Sequence, residues 1–245
     1  MTLAPETLVI LALVIFVGYT VFGATGFGAS PITIPVLVHV LPLPFVLSLA
    51  ALLDLASGVA LGLHTRRQAA TRELATLVPF TLLGLTLGVT LLVRLPRTAT
   101  LLALGVFVCA YALYVVLRRD APPPLSRWWA APAGVLGGLV GALFGMGGPP
   151  YVVYITGRIR DPAGQRATIS QMVILNVGLR VVAFAVAGLL ASRALWIAAA
   201  VLLPVAMAGL WAGHRAHVRV RPAVMARLIG GALFLTGAAL LVRTF

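Results

Sequence analysis

Charged residues are scarce in this sequence. Only 9% of its 245 residues are Asp, Glu, Lys or Arg, whereas an ordinary soluble domain has roughly 25%. Lysine is absent, and all 18 basic residues are arginine. So little charge cannot cover a folded surface with groups that water solvates, and the composition therefore excludes an ordinary soluble protein.

Cysteine is nearly absent as well. The single Cys109 lies in an apolar run, so no intrachain disulfide can form, and we expect this side chain to pack in the interior. The histidines His39, His64, His214 and His217 show no convincing metal-ligand spacing. We also find no phosphate-binding loop and no nucleophile elbow. The sequence therefore predicts no metal, no cofactor and no catalysis by this chain alone.

Apolar residues make up 61% of the chain, and runs near or above the about 20 residues that cross a bilayer recur along its length. We therefore predict an all-α polytopic membrane protein. Residues 1–8 contain Glu6 and no basic residue, so we expect no cleavable signal peptide. The apolar runs are 6–22, 31–41, 44–63, 74–93, 98–117, 128–144, 149–157, 167–191, 194–213 and 223–242.

The order of runs and breaks occurs twice. The letters GFGASP at 26–31 match GMGGPP at 145–150 with a spacing of 119 residues, and matches between 79–88 and 204–213 follow at a spacing of 125. Between the halves, the charged segment 118–127 has three consecutive prolines and cannot continue a membrane helix. The predicted parts are a first membrane repeat at 1–118, a cytoplasmic linker at 119–127 and a second membrane repeat at 128–245.

The net charge of +13 would suggest nucleic-acid binding in a soluble chain. Here nearly all the arginines lie in short segments between apolar runs, which is the placement that orients a membrane protein. We therefore expect the arginines to set membrane orientation, and we expect no nucleic-acid partner.

Arginine placement also predicts the topology. If the short run after each Gly-rich break returns to its starting side, one face of the membrane has 13 arginines and the other has four. If each broken segment crosses fully, the counts are eight and nine. The positive-inside rule favours the first arrangement, in which each repeat is a broken-helix hairpin plus three transmembrane helices. Three crossings are an odd number, so the two repeats have inverted topology. The alternative, that 6–22 spans fully, stays open.

The two Gly-rich breaks are the candidate site. Irregular backbone at membrane depth survives only where it is buried in protein or lines a polar cavity. Prolines follow both breaks and suit the first turn of a new helix, whose N–H groups and dipole attract an anion. The alternative is that the glycines only let helices pack closely, and we prefer it for Gly84, Gly88, Gly209 and Gly213. The predicted substrate-binding residues at the breaks are Thr25, Gly26, Gly28, Ala29, Ser30, Thr33, Gly145, Gly147 and Gly148.

Two ionisable residues lie in the middle of apolar runs, where charge is costly and usually functional. Arg180 can donate two hydrogen bonds to an oxyanion, and Asn176, one turn before it, is expected to share its face and bind substrate. Asp54 is expected to carry a proton or to pair with Arg180. A buried ion pair that only fastens the two halves stays open.

The segments GATGFGASPITIPVL at 23–37 and GALFGMGGPPYVVYI at 141–155 resemble the paired signatures of the sulfite exporter TauE/SafE family, also called the TSUP permeases. The resemblance covers nearly the whole chain. It implies a secondary transporter of sulfite, sulfoacetate or another organosulfonate, or thiosulfate, working without ATP in the cytoplasmic membrane.

The expected partners are a small anionic substrate and membrane lipids, with a homodimer as the candidate assembly. A membrane enzyme would need a catalytic cluster, and the chain has few intramembrane polar groups. The remaining alternative is a non-transporting scaffold or a subunit of a larger complex, which would not need two broken helices.

Overall fold

The computed structural model describes residues 5–25, 28–62, 68–117 and 123–216, and these ranges contain nine α-helices, one 3₁₀ turn and no β-strand. The predicted all-α polytopic membrane fold is confirmed. The apolar run at 223–242 lies outside the described residues. The elements are α1 (Pro5–Thr25), α2 (Ser30–Leu37), α3 (Leu43–Gly62), α4 (Thr71–Arg94), α5 (Arg97–Leu117), the 3₁₀ turn (Arg127–Trp129), α6 (Ala130–Phe144), α7 (Gly148–Arg158), α8 (Pro162–Val186) and α9 (Arg193–Ala216).

Helix length decides which elements can cross a bilayer. Four helices of the described residues, α3, α4, α8 and α9, are long and apolar enough to do so. The 15 residues of α6 extend only about 22 Å, which is less than the about 30 Å of a hydrocarbon core. The 21 residues of α1 extend about 31 Å, so a full crossing by this helix stays open.

The second broken segment returns to the place where it begins. The backbone N–H of Leu125, just before α6, donates to the carbonyl oxygen of Gly157 near the end of α7 at 2.9 Å. The Arg158 guanidinium donates to the Leu125 carbonyl at 3.2 Å. The entry and exit of the segment are therefore neighbours, as the hairpin prediction requires. The inverted relation between the two repeats stays a prediction.

The chain packs as two compact units, and each takes helices from both halves of the sequence. The first unit contains α1, α2, α3 up to Asp54, α5 and α9. The second unit contains the rest of α3 from Leu55, together with α4, the 3₁₀ turn, α6, α7 and α8. The predicted repeats at 1–118 and 128–245 concern duplication of the sequence rather than packing, and they stay a prediction.

Glycines bring pairs of helices together inside each unit. In the first unit α1 packs along α9, where a Cβ added at Gly209 would lie 2.6 Å from the carbonyl oxygen of Phe16. In the second unit α4 packs along α6, and a Cβ at Gly88 would lie 2.7 Å from that of Ala142. Gly84 and Gly213 face backbone of the partner helix in the same way, so the predicted packing role of all four glycines is confirmed.

Among the described helices, α8 departs furthest from its predicted range. The apolar run at 167–191 predicts its position, but the helix extends over Pro162–Val186. Asp161 caps it, since the carboxylate accepts from the backbone N–H of Gly164 at 2.7 Å. Gly188, with φ +76, lies in the turn that follows the helix. The prediction is wrong at both ends because hydropathy marks the apolar part of a helix rather than its hydrogen-bonded extent.

Candidate functional site

Both predicted breaks are present. Helix α1 ends at Thr25 and α2 begins at Ser30, and the described Gly28 and Ala29 before α2 are non-helical; α6 ends at Phe144 and α7 begins at Gly148 after a second non-helical stretch. Gly28 has φ +89 and Gly145 has φ +70, a left-handed conformation that glycine adopts without strain. Gly26 lies outside the described residues, and for Thr25 the structure describes only the backbone.

The helices that follow the breaks begin without a side-chain cap. Ala29 precedes α2 and Gly147 precedes α7, and neither provides a capping hydrogen bond, whereas Asp161 caps α8. The first N–H groups of a helix have no partner within the helix. Pro31, Pro149 and Pro150 have no N–H group, so the donors left at the positive ends of α2 and α7 are the backbone N–H groups of Ser30 and Gly148, which no capping side chain occupies.

Around the first break, Asp54 holds the start of α2. Its side chain is 8% exposed, and its two oxygens accept hydrogen bonds from the Tyr19 hydroxyl at 2.8 Å and the Ser30 hydroxyl at 2.5 Å. Ser30 is the first residue of α2, so the carboxylate lies directly beside the helix start. The Thr33 hydroxyl donates to the Ala29 carbonyl at 3.1 Å. Two hydroxyls predicted to face substrate thus have protein acceptors in this structure.

Around the second break, Asn176 lies against the glycines. A Cβ added at Gly147 would lie 3.1 Å from the Asn176 Oδ1 atom, and one added at Gly141 would lie 2.9 Å from it. The Asn176 Nδ2 atom donates to the Tyr151 hydroxyl at 2.9 Å, and that hydroxyl donates to Thr81 Oγ1 at 3.2 Å. The carboxamide is therefore fixed between the break and two buried hydroxyls.

Arg180 approaches the same part of the second unit. Its side chain is 1% exposed, and Nη1 donates to the carbonyl oxygen of Gly141 at 3.1 Å, near the C-terminus of α6. Asn176 also meets Gly141, so the prediction that the two residues share a face of α8 is confirmed. Their role in substrate binding stays a prediction. Asp54 belongs to the first unit and Arg180 to the second, and a pair between them also stays a prediction.

A charged cluster lies at the far end of α7, away from the second break. Glu73 accepts from the Arg158 guanidinium at 3.1 Å and from the Tyr154 hydroxyl at 2.6 Å, and Arg127 lies 3.9 Å away. The hydrogen bond with Glu73 raises the pKa of Arg158, so the guanidinium stays charged. Within the described ranges no three His, Cys, Asp or Glu side chains come together in a way that could hold a metal ion.

The sequence indicated Asp54, Asn176 and Arg180 as candidates but gave no prediction for Tyr19 and Tyr151, whose hydroxyls bond to Asp54 and Asn176. A tyrosine in an apolar run is usually a packing residue, and its hydroxyl partner lies on another helix. The only available signal was the proximity of Tyr151 to the proline pair that starts α7.

Broken helices with buried polar side chains, inside an all-α multi-pass membrane protein, define a class: membrane transporters. The sequence model of the family described as Sulfite exporter TauE/SafE matches residues 10–240, and the chain belongs to that family. A relative is the Probable inner membrane transporter protein TsaS of Comamonas testosteroni, 24% identical over 194 residues, which cover 78% of this chain and 81% of the relative. No solved structure is a significant match. The resemblance seen in the sequence is confirmed.

Proposed function

We propose that this protein is a secondary transporter of small sulfur-containing anions: sulfite, sulfoacetate or another organosulfonate, or thiosulfate. In this proposal it lies in the cytoplasmic membrane with the linker 118–127 in the cytoplasm. Family membership supports the class of substrate. The single observation that carries the site is that α2 and α7 both follow a break and both begin without a side-chain cap.

An uncapped helix start suits an anion for two reasons. Its N–H groups supply hydrogen-bond donors, and the helix dipole contributes about 0.3–1 kcal/mol at an exposed site and up to about 2 kcal/mol where it is partly buried. Neither effect needs a buried formal charge. The predicted inverted repeat supports the further step that the two helix starts serve one anion near the membrane midplane.

Arg180 adds a formal positive charge to the donors at the helix starts. A guanidinium donates two parallel hydrogen bonds to two oxygens of one oxyanion, which a point charge cannot do. Its place beside Gly141, with Asn176 one turn away, supports a role close to the second break. The residues assigned to the anion are Thr25, Gly26, Gly28, Ala29, Ser30, Thr33, Gly145, Gly147, Gly148, Asn176 and Arg180.

Flux of labelled sulfite into proteoliposomes tests the proposal. We expect saturable flux with the wild type and a loss of about tenfold or more with Arg180→Ala, because a charge-assisted hydrogen bond is lost. Arg180→Lys keeps the positive charge but cannot donate two parallel hydrogen bonds, so its flux should lie between those of the wild type and Arg180→Ala. Arg160→Ala, at an exposed arginine after α7, is the matched control and should transport normally.

A thermal-shift screen of the detergent-solubilised protein gives an independent reading, since a ligand that binds the folded state raises the unfolding temperature. We expect a shift with sulfite, a sulfonate or thiosulfate that Arg180→Ala abolishes. Absence of both flux and shift for all three kinds of anion would contradict the proposal and favour a scaffold.

A further inference from the structure

We propose that Tyr151 and Thr81 are positioning residues that hold the Asn176 carboxamide at the second break and let either its oxygen or its NH₂ group face that break. The proposal rests on the function above, because it assumes that the anion reaches this break. It adds two residues, a direction of hydrogen bonding and a change of that direction during binding.

The three side chains form a linear hydrogen-bond chain. Asn176 lies on α8, Tyr151 on α7 and Thr81 on α4, and all three are at least nine-tenths buried within the second unit. Asn176 donates to the Tyr151 hydroxyl at 2.9 Å, which donates to Thr81 at 3.2 Å. Buried polar groups of this kind are costly to leave without partners, so the network restricts the amide to orientations that keep its hydrogen bond to Tyr151.

The orientation in this structure presents an acceptor to the break. The Asn176 Nδ2 atom is occupied by Tyr151, and the Oδ1 atom faces Gly141 and Gly147. A carbonyl oxygen carries negative partial charge and repels an anion. This orientation therefore belongs to the protein without substrate at the second break.

The network can reverse without losing a hydrogen bond. A hydroxyl both donates and accepts, so Thr81 can donate to Tyr151 and Tyr151 can donate to Asn176 once the amide has rotated by half a turn. The Asn176 NH₂ group then faces Gly147 and donates to an oxygen of the anion. Both orientations keep the two hydrogen bonds that link the three side chains, so turning the amide towards the anion costs neither of them.

Removing the Tyr151 hydroxyl removes the hydrogen bond that holds the amide in either orientation. In Tyr151→Phe the buried amide loses its partner on α7 in both orientations, so nothing holds the NH₂ group towards the anion. We expect KM for sulfite to rise about tenfold, as the loss of one positioned buried hydrogen bond predicts, while Vmax stays within about twofold. Thr81→Val removes the outer member and should raise KM by a smaller factor of about three.

Tyr154→Phe is the matched control. Tyr154 lies on the same helix, is equally buried, and donates its hydroxyl to Glu73 rather than to the candidate site. We expect its KM to stay within about twofold of the wild-type value. An equal rise in KM for Tyr151→Phe and Tyr154→Phe would show a merely structural role and overturn the inference.

Asn176→Ala separates this inference from the proposed function. The double variant Asn176→Ala with Tyr151→Phe should have the same KM as Asn176→Ala alone, because the two residues act as one unit. If Asn176→Ala raises KM and neither Tyr151→Phe nor Thr81→Val does, the inference fails and the site stands. If Asn176→Ala and Arg180→Ala both leave KM unchanged, the proposed site itself fails. Should Tyr151→Phe not fold, Thr81→Val provides the same test.

Discussion

At the scale of single residues, Gly28 and Gly148 distinguish two reasons for a glycine: a left-handed backbone and a lack of room for a side chain. A Cβ added at either position would meet nothing within 4 Å, but only Gly28 has a left-handed backbone, with φ +89. We expect Gly28→Ala to destabilise the protein by about 1–2 kcal/mol, because a side chain disfavours this region, and to lower its unfolding temperature in detergent. Gly148→Ala should leave that temperature unchanged or raise it slightly.

Gly28→Asn completes the comparison, because asparagine tolerates the left-handed region better than alanine. We expect it to recover part of the lost stability. Equal losses for Gly28→Ala and Gly148→Ala would mean that the left-handed turn is not what requires glycine at the first break.

Asp54 carries a second prediction at this scale. Asparagine has nearly the same shape and can still accept a hydroxyl, but it cannot carry a proton. If Asp54 is the proton carrier, Asp54→Asn should reduce accumulation of labelled anion driven by a pH gradient by about tenfold or more, and exchange of labelled for unlabelled anion should stay within about twofold. Both are measured in the same proteoliposomes.

Glu73→Gln is the control for Asp54→Asn. Glu73 of α4 is also a buried carboxylate that accepts a tyrosine hydroxyl, and it lies beside the far end of α7. It should leave gradient-driven accumulation intact. Loss of exchange together with accumulation in Asp54→Asn would show that the carboxylate is structural instead, whether it fastens the start of α2 or pairs with Arg180.

Charged residues in the candidate site could be predicted from the sequence, whereas the tyrosines that bond to them or to Asn176 could not. Asp54 and Arg180 are visible in the sequence because charge in an apolar run is costly whatever surrounds it. Tyr19 and Tyr151 were not predicted, since each acts through a hydroxyl whose partner lies 35 and 25 residues away in sequence. Only the packing of helices brings those groups together.

At the scale of elements, the end of α7 is fastened to the linker. The backbone N–H of Leu125 donates to the Gly157 carbonyl, and the Arg158 guanidinium donates to the Leu125 carbonyl. The same guanidinium donates to the Glu73 carboxylate of α4. We expect Glu73→Gln to loosen this end, because Arg158 loses its carboxylate, with a cost of about 1–3 kcal/mol for a hydrogen bond to a charged group. Trypsin should then cut after Arg127 several-fold faster.

Arg72→Gln is the matched control for the linker, since Arg72 precedes Glu73 in the same helix but is exposed. It should leave cleavage after Arg127 unchanged. Unchanged cleavage in Glu73→Gln would show that backbone contacts between Leu125 and Gly157 suffice to hold the linker.

Helix positions were largely predictable, and helix partners were not. Apolar runs indicate where the helices lie because hydropathy is local, except at α8, whose first turns are polar. The glycines at 84 and 209 indicate that α4 and α9 each approach another helix closely. They do not say which helix, and the partners, α6 and α1, come from the opposite half of the chain.

At the scale of the whole molecule, neither half of the sequence can complete a compact unit alone. α1 of the first half packs along α9, and α6 of the second half packs along α4. If one half were expressed by itself, the glycine-lined helix surfaces that pack against the backbone of a partner helix would face lipid instead. The pairing of helices from opposite halves is consistent with a duplicated sequence, although duplication by itself did not predict the pairing.

The membrane topology can be tested by cysteine labelling, because the chain has a single native cysteine to remove. Replacing Cys109 with alanine gives a background without thiols, into which single cysteines can be placed at the exposed positions Ser126, Arg160 and Ser192. The hydrogen bond between Leu125 and Gly157 implies that 126 and 160 lie on one side of the membrane, and α8, long enough to cross, implies that 192 lies on the other.

The positive-inside rule assigns the side of 126 and 160 to the cytoplasm. A membrane-impermeant maleimide should therefore label the cysteine at 192 in intact cells and label those at 126 and 160 only after permeabilisation. Full crossing of the second broken segment requires 126 and 192 to share a side and 160 to lie opposite. Labelling of 126 and 192 under the same condition would therefore contradict the hairpin, and with it the inverted repeat on which a single shared anion site depends.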